Sequence, residues 1–300
     1  MRQNEGDFLK EREYVILTDS TTDISQDIAD EIGVKVWPMQ FELDGLTYRN
    51  FPDEREMKSD DFYDVMRAGK MPKTSQINVV DFCEYFSEYL EKGLDILYIS
   101  FSSGLSGTYN NSLIAINALK EKYPDRTIVS VDSLAASMGE GLLVYFAAQH
   151  KKKGMGLEEL AKWVEDNRLH LCHWFTVDDL HHLKRGGRVS AATAIVGSAL
   201  NIKPVLHVDD EGHLINITKV RGRKASLNAM VDKMVETFTG EYDTIMICQG
   251  GCRSDAEYLA GEVKKRVKGV KKVIMGNIGP VIGAHAGPGV LALFFYGDHR

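Results

Sequence analysis

Residues Leu94–Thr108 read LDILYISFSSGLSGT, and this stretch decides the fold. Its first part is an apolar run of strand length, and its second is a loop of serines and glycines. The residues after Gly107 have the pattern of a helix. An apolar strand that gives way to a polar loop and then a helix is the unit from which parallel sheets are built. The unit recurs on both sides. YVILTDS (Tyr14–Ser20) precedes a helical stretch that ends at Gly33, with Asp23 and Gln26 at capping-box spacing, and RTIVSVDS (Arg126–Ser133) precedes the apolar helical stretch Leu134–Lys151. Right-handed crossovers carry every post-strand loop to one sheet edge. TDSTTD, SFSSGLSGT and VDSLAAS are therefore expected along the carboxyl ends of the strands, where open α/β sheets bind ligands.

Other segments fill in this frame. Asp44-Gly45 between VKVWPMQFEL and LTYRN is a hairpin signal. Helices are expected over Ser59–Ala68 and Asn78–Glu91, with the hydroxyl-rich KMPKTSQIN between them. In the second half, HWFTV, KPVLHVDD and HLINITKVR read as short antiparallel strands with a turn at Asp209–Gly212. DTIMICQGG, a charged helix over Arg253–Val267 and KKVIMGNIG form another β-α-β unit, and VLALFFYGD supplies a last strand. The fold class is α/β: a polar N-terminal extension (1–13), an N-terminal parallel-sheet α/β domain (14–165) and a C-terminal two-layer α+β domain (166–300).

Composition excludes several functions. With 44% hydrophobic and 26% charged residues, 300 residues suffice for two cores. A net charge of −7 argues against nucleic-acid binding. No apolar run approaches the roughly 20 residues of a membrane helix, and MRQNEGDFLKERE lacks the apolar core of a signal peptide, so a cytoplasmic address is expected. Cys83, Cys172, Cys248 and Cys252 are too few for a disulfide framework and read as thiols. A metal site drawn from His170, Cys172, His173, His181, His182, Cys248 and Cys252 lacks a recognised spacing, and strand alternation from His173 sends neighbouring side chains to opposite faces. No metal is expected.

The loop Ile99–Asn111 admits three chemistries. A serine nucleophile elbow is G-x-S-x-G, whereas Gly104-Leu105-Ser106-Gly107 is one residue short; Ser103 or Ser106 with Asp132 and His285 still defines an esterase or acyltransferase alternative. The loop has neither the lysine of a P-loop nor the glycine spacing of a dinucleotide fold. Hydroxyls and backbone N–H groups before a helix make a cradle for an anion. Three further stretches suit the same role: Thr74-Ser75 before a helix capped by Asn78, Gly186-Gly187 between Arg185 and Arg188, and His285 in the glycine-rich loop GNIGPVIGAHAGPG.

Taken together and in order, TDSTTD, TSQ, SSGLSGTYN, VDS, LKRGGRVS, KPVL, KVRGRKA and GPVIGAHAGPG resemble the DegV family of bacterial fatty-acid-binding proteins, over about Tyr14–Gly297. The resemblance implies two α/β domains with a long-chain fatty acid held between them. It implies hydrogen bonds from Thr74 and Ser103 to the fatty-acid carboxylate, with His285 beside it and Arg188 in support. Ser75, Ser102, Gly104 and Ser106 are implied as neighbours of that head site. Some members serve as the acyl-carrying subunit of a two-component fatty acid kinase; Arg221 then corresponds to the position that docks the kinase subunit, which supplies ATP and Mg²⁺. The chain itself would need no cofactor, would not act alone as an enzyme, and could touch membranes transiently. The family commonly has Pro-Ser after TSQ, where this chain has Ile77-Asn78. The apolar stretches Leu134–Ala148 and Ser190–Leu200 are candidates for the tunnel wall.

Overall fold

The computed structural model describes residues 12–190 and 201–300. The expected tunnel-wall stretch Ser190–Leu200 lies outside them, except for its first residue, as does most of the polar extension. The N-terminal half runs β1 (Tyr14–Asp19), a short 3₁₀ turn (Ser20–Thr22), α1 (Gln26–Ile32), β2 (Lys35–Trp37), β3 (Gln40–Leu43), β4 (Leu46–Arg49), α2 (Ser59–Arg67), β5 (Lys73–Thr74) and α3 (Val79–Leu90). It continues through β6 (Asp95–Ser100), α4 (Thr108–Lys122), β7 (Ile128–Asp132), α5 (Met138–Lys152) and α6 (Leu157–Asn167). The C-terminal half comprises β8 (Leu171–Thr176), α7 (His181–Arg185), β9 (Ile202–Val208), β10 (Leu214–Arg221), α8 (Arg223–Thr237), β11 (Thr244–Gln249), α9 (Arg253–Arg266), β12 (Lys272–Asn277), α10 (Pro280–Ala286) and β13 (Leu291–Tyr296).

The first half is built on a parallel sheet in the order β2-β1-β6-β7. Every residue of β6 is buried, as its continuous apolar run requires in a sheet covered on both faces. The segment VKVWPMQFEL splits at Pro38: β2 joins the parallel sheet, while β3 pairs with β4 and β5 in a separate three-stranded sheet. Asp44 and Gly45 both take positive φ, 53° and 78°, so the hairpin is the tight turn that this dipeptide favours.

The second half is a mixed sheet in the order β10-β9-β8-β13-β11-β12, in which only β11 and β12 pair in parallel. Alternation along β8 sends Cys172 and Trp174 into the core under α8 and α9, and turns Leu171 and Phe175 toward the central core. That opposite face is covered by α5, whose residues Met138–Ala148 are all buried and which contacts β8, β11 and β13 as well as α1. A helix without a polar face has to be enclosed, and α5 is enclosed by both halves of the chain. Tyr63 in α2 donates to the Ile278 carbonyl at 2.8 Å. Arg300 donates to the carbonyls of Leu134, Asp209 and Arg168, so one guanidinium ties the loop after β7 to the β9–β10 turn.

Two expectations are corrected at this level. The cap of α1 is Ser25, whose hydroxyl accepts from Ile28 N–H; Asp23 instead sits in the left-handed region at φ 52° and closes the 3₁₀ turn. The stretch Gly276–Gly289 was expected as a rigid loop, yet Pro280–Ala286 is helical, with Pro280 in its first turn and Gly287 at its end. Proline at a helix start fits because the N–H that it lacks has no helical partner there.

Candidate functional site

The loops after β1, β6 and β7 do converge at one edge of the parallel sheet, and the second half of the chain covers them. Ser102 Oγ donates to the Gly212 carbonyl at 2.9 Å, which docks the β9–β10 turn onto the loop after β6. The approach is close enough that a Cβ on Gly104 would lie 2.8 Å from the Glu211 carbonyl oxygen. Beneath this contact lies a cavity of about 420 Å³. Its walls are apolar: Phe101 and Leu105 from the loop after β6, Phe175 from β8, Leu183 from α7, Val281 and Ile282 from α10, and Ala292 and Phe294 from β13.

One end of the cavity is polar and reaches solvent through Thr74, Ser75, Gln76, Ser106, Arg188 and His285. Thr74 is positioned by β5, where it pairs with Phe41. The chain then turns into α3, with Ile77 buried in the core of α3, β1 and β6, and with Asn78 accepting from Asp81 N–H at 2.9 Å. Ile77 thus anchors this turn by burial, and Asn111 Nδ2 donates to its carbonyl at 2.8 Å. The last turn of α10 carries His285 to Thr74, with Nε2 2.7 Å from Oγ1. Burial, reinforced by the Arg188 guanidinium, lowers the His285 pKa to about 4, so its imidazole is neutral at pH 7. Arg188 Nε donates to the Leu105 carbonyl at 3.1 Å and Nη1 to the Gly186 carbonyl, so it spans the segment after α7 and the loop before α4. Burial also lowers its pKa, the response of a cation removed from water. Gly186 is packed so closely to His285 that a Cβ would overlap Nδ1.

The structure brings Thr74, Ser75, Ser106, Arg188 and His285 to this end of the cavity, but not all the expected residues. Ser103 is exposed, does not line the cavity, and gives its backbone N–H to Asp132 Oδ1 at 3.1 Å. Ser102 is buried and committed to Gly212, and Gly104 serves the contact with the β9–β10 turn. Ser106 is the loop serine at the cavity; its Oγ lies 2.9 Å from Thr108 Oγ1. Arg221 is exposed at the end of the edge strand β10, away from the lining. A serine triad is not assembled from the expected parts: Asp132 holds the backbone of Ser103 and Leu134, and His285 Nε2 is bonded to Thr74. Among the described residues, no three His, Cys, Asp or Glu side chains are grouped to hold a metal. No helix of the described residues is long and apolar enough to cross a membrane.

Sequence reasoning missed the groups at the opposite end. Ala136, Ser137 and His173 line the cavity there. Ser137 caps α5 in an unusual conformation, φ 55° and ψ −150°, and its hydroxyl donates to Asp23 Oδ2 at 2.5 Å. Asp23 Oδ1 accepts Gly279 N–H at 2.9 Å, and burial pushes this carboxyl up to about 8. Behind it lies a second buried acid cluster. Thr21 Oγ1 is 2.5 Å from Asp19 Oδ1 and 2.8 Å from Glu140 Oε2. One hydroxyl proton serves only one of these contacts, so the other requires a protonated carboxyl; burial raises both acids accordingly. TDSTTD therefore builds an internal network in addition to a strand-end loop.

Comparison with known proteins agrees with this architecture. The family model described as an uncharacterised protein of the DegV family matches residues 13–298. A DegV domain-containing protein of Clostridium perfringens is 45% identical over 290 residues, covering 96% of this chain and 99% of the relative. Among solved structures, a DegV-family protein from Thermus thermophilus described for its fatty acid binding superposes with a TM-score of 0.84 at 30% identity, covering 95% of this chain and 99% of that one. A Thermotoga maritima protein described as revealing a fatty acid binding function gives 0.81 at 28% identity, with 95% and 99% covered. From the extent of these matches, this chain belongs to the DegV family.

Proposed function

We propose that this chain binds a long-chain fatty acid, with its carboxylate against Thr74, Ser106, Arg188 and His285 and its acyl chain in the interdomain cavity. The observation that carries the reading is the hydrogen-bonded Thr74–His285 pair beside Arg188 at a polar, solvent-reaching end of an apolar cavity. Ser106 takes the place first expected for Ser103. With Nε2–H of neutral His285 donating to Thr74 Oγ1, the threonine proton is free for a carboxylate oxygen. Burying a carboxylate costs several kcal/mol, and each hydrogen bond to it returns roughly 1.5–3 kcal/mol. Two hydroxyls and a guanidinium offset that cost. At about 0.8 kcal/mol per buried CH₂, a chain of about sixteen carbons supplies near 12 kcal/mol before ordering costs, so the tail sets affinity and the head sets orientation.

The finer role is presentation of the carboxylate to a separate ATP-dependent kinase subunit in the cytoplasm. The carboxylate oxygen attacks the γ-phosphorus of ATP held by that subunit with Mg²⁺, which yields an acyl phosphate and ADP. This chain positions the nucleophile, with Arg188 close to the charge being transferred. Exposed Ser75 and Gln76 at the mouth support access to the head group, and exposed Arg221 is the docking contact.

Denaturation, solvent extraction and mass spectrometry test the binding. A stoichiometric long-chain fatty acid is expected, and purified protein that neither carries nor takes up one contradicts the reading. For the kinase role, ATP, the loaded protein and the kinase subunit should give an acyl phosphate that hydroxylamine traps as a hydroxamate; its absence limits the chain to carriage.

A further inference from the structure

A second cavity, of about 350 Å³, lies where the carboxyl ends of three strands meet. Ser20 follows β1, Gln249 ends β11 and Asn277 ends β12, and all three line it. Strands β11 and β12 are parallel and joined through α9, and the carboxyl end of such a unit is where α/β sheets bind ligands. The floor of this cavity holds a hydrogen-bond acceptor without a donor. Asn50 is 8% exposed, and its Nδ2 donates to the Ser20 carbonyl at 3.4 Å, which fixes the other amide atom as Oδ1. No described residue donates to that Oδ1, and it is not sealed off, so it faces the cavity. Glu54 lines the same floor. Its carboxylate accepts from Ser59 N–H, Ser59 Oγ and Asn277 Nδ2, and among the described residues no lysine or arginine pairs with it. Asp23, the other acid there, takes Gly279 N–H on one oxygen and Ser137 Oγ on the other. Met138, Met275, Ile24 and Ile28 supply apolar wall. Among the described residues the one cation of the lining is Arg253, at the exposed rim, where Nε pairs with Glu257 at 3.3 Å.

We propose that this second cavity binds an aliphatic di- or polyammonium ion, with one ammonium on Asn50 Oδ1 beside Glu54, its methylenes against Met138 and Met275, and a further ammonium at Glu257. An ammonium carries only donors, which the floor lacks, and its charge answers the unpaired Glu54. A carboxylate or phosphate would bring more acceptors to a floor already made of acceptors. A neutral hydroxyl can donate to Oδ1 but leaves the charge of Glu54 unanswered. Nothing in this site depends on what fills the first cavity.

Full-length protein is titrated calorimetrically with 1,5-diaminopentane, with spermidine and, as a neutral counterpart of the first, with 1,5-pentanediol. At least one amine should bind with a Kd at or below about 1 mM, the order that roughly seven to ten heavy atoms reach in a fitting site. The diol should bind about tenfold more weakly or worse, the margin of a charge-assisted over a neutral hydrogen bond. Asn50→Ala should weaken amine binding roughly tenfold to a hundredfold. Glu257→Gln, at the exposed rim, should weaken it about twofold to fivefold, and Arg253→Ala should strengthen it by a similar factor. Glu121→Gln, the same charge change at an exposed position of α4 outside the lining, should leave it unaltered. Absence of amine binding, diol binding as tight as amine binding, or unchanged affinity in Asn50→Ala each overturns the site. So does a loss in Glu121→Gln equal to that in Glu257→Gln, which would show attraction to the net charge of the chain alone. Should Asn50→Ala not fold, the three exposed variants decide.

Discussion

Thr74 and His285 stand 211 residues apart in sequence and 2.7 Å apart in space. A two-residue strand places one and the last turn of a short helix places the other, so each half of the chain contributes one member of the pair. In the proposed binding mode neither half holds the head group alone. Thr74→Ala and His285→Ala should each weaken fatty-acid binding by about 1.5–3 kcal/mol, roughly tenfold to a hundredfold. The double variant should lose less than the sum, because each residue orients the other. Displacement titration of a fluorescent fatty acid gives the three affinities, and strict additivity would show that the two residues act separately.

Gly186 tests the same site from behind. It is at φ −68°, an ordinary value, so alanine adds no backbone strain there. The added Cβ would nevertheless meet His285 Nδ1. Gly186→Ala should therefore tilt the imidazole away from Thr74 and cut binding about as far as His285→Ala, with a melting temperature close to that of the parent. Undiminished binding would mean that the α7 turn yields instead of the histidine.

The tail has its own test. Ala292 is buried on β13 opposite Phe175 and lines the cavity. Ala292→Leu adds three carbons to the wall and removes space for about as many methylenes. Lipid extracted from this variant after expression should shift toward shorter chains than lipid from the parent. An unchanged chain-length profile would place the tail elsewhere.

The parts of this molecule that were legible in sequence were those set by local rules. Apolar runs followed by polar loops located the parallel strands, Asp44-Gly45 located the hairpin, and Asn78 located the start of α3. The ordered motifs pointed to Thr74, Arg188 and His285, which do line one cavity end. Ser103 was expected on the carboxylate with Ser106 only a neighbour, and local rules do not decide between them, because which serine of SSGLSG faces inward depends on Asp132 capturing the Ser103 backbone and on the β9–β10 turn occupying Ser102. Both are long-range contacts without a local signature. The helix at Pro280–Ala286 was hidden by three glycines and a proline within Gly279–Gly287, residues that usually interrupt helices; here Pro280 sits where a helix tolerates it and Gly283 packs against Phe62 and Tyr63. His173 looked like one more histidine in a strand, and only the pairing of β8 with β13 under α5 gives it a cavity to face.

Asp23 makes the stability of this fold depend on pH in a direction opposite to that of an ion-paired carboxylate. Its carboxyl is raised from 3.8 to about 8, chiefly by burial, with the neighbouring charge of Asp19 adding to the rise. The folded chain therefore holds a proton that the unfolded chain has released between about pH 4 and pH 8. That contribution is complete below pH 4, declines by roughly 1.4 kcal/mol per pH unit, and is exhausted once pH passes 8. Asp23→Asn stands in for the protonated acid: Oδ1 still accepts Gly279 N–H, and Nδ2 faces Ser137 Oγ, which turns from donor to acceptor. Unfolding free energies from urea titrations at pH 5 and pH 8 should differ less in the variant than in the parent, by on the order of 3 kcal/mol. Asp19 and Glu140 are raised chiefly by burial in both proteins, so the larger share of their pH dependence cancels in the comparison; the variant removes only the Asp23 charge that adds to the rise of Glu140. Parallel pH profiles for the two proteins would show that Asp23 is already ionised in the fold.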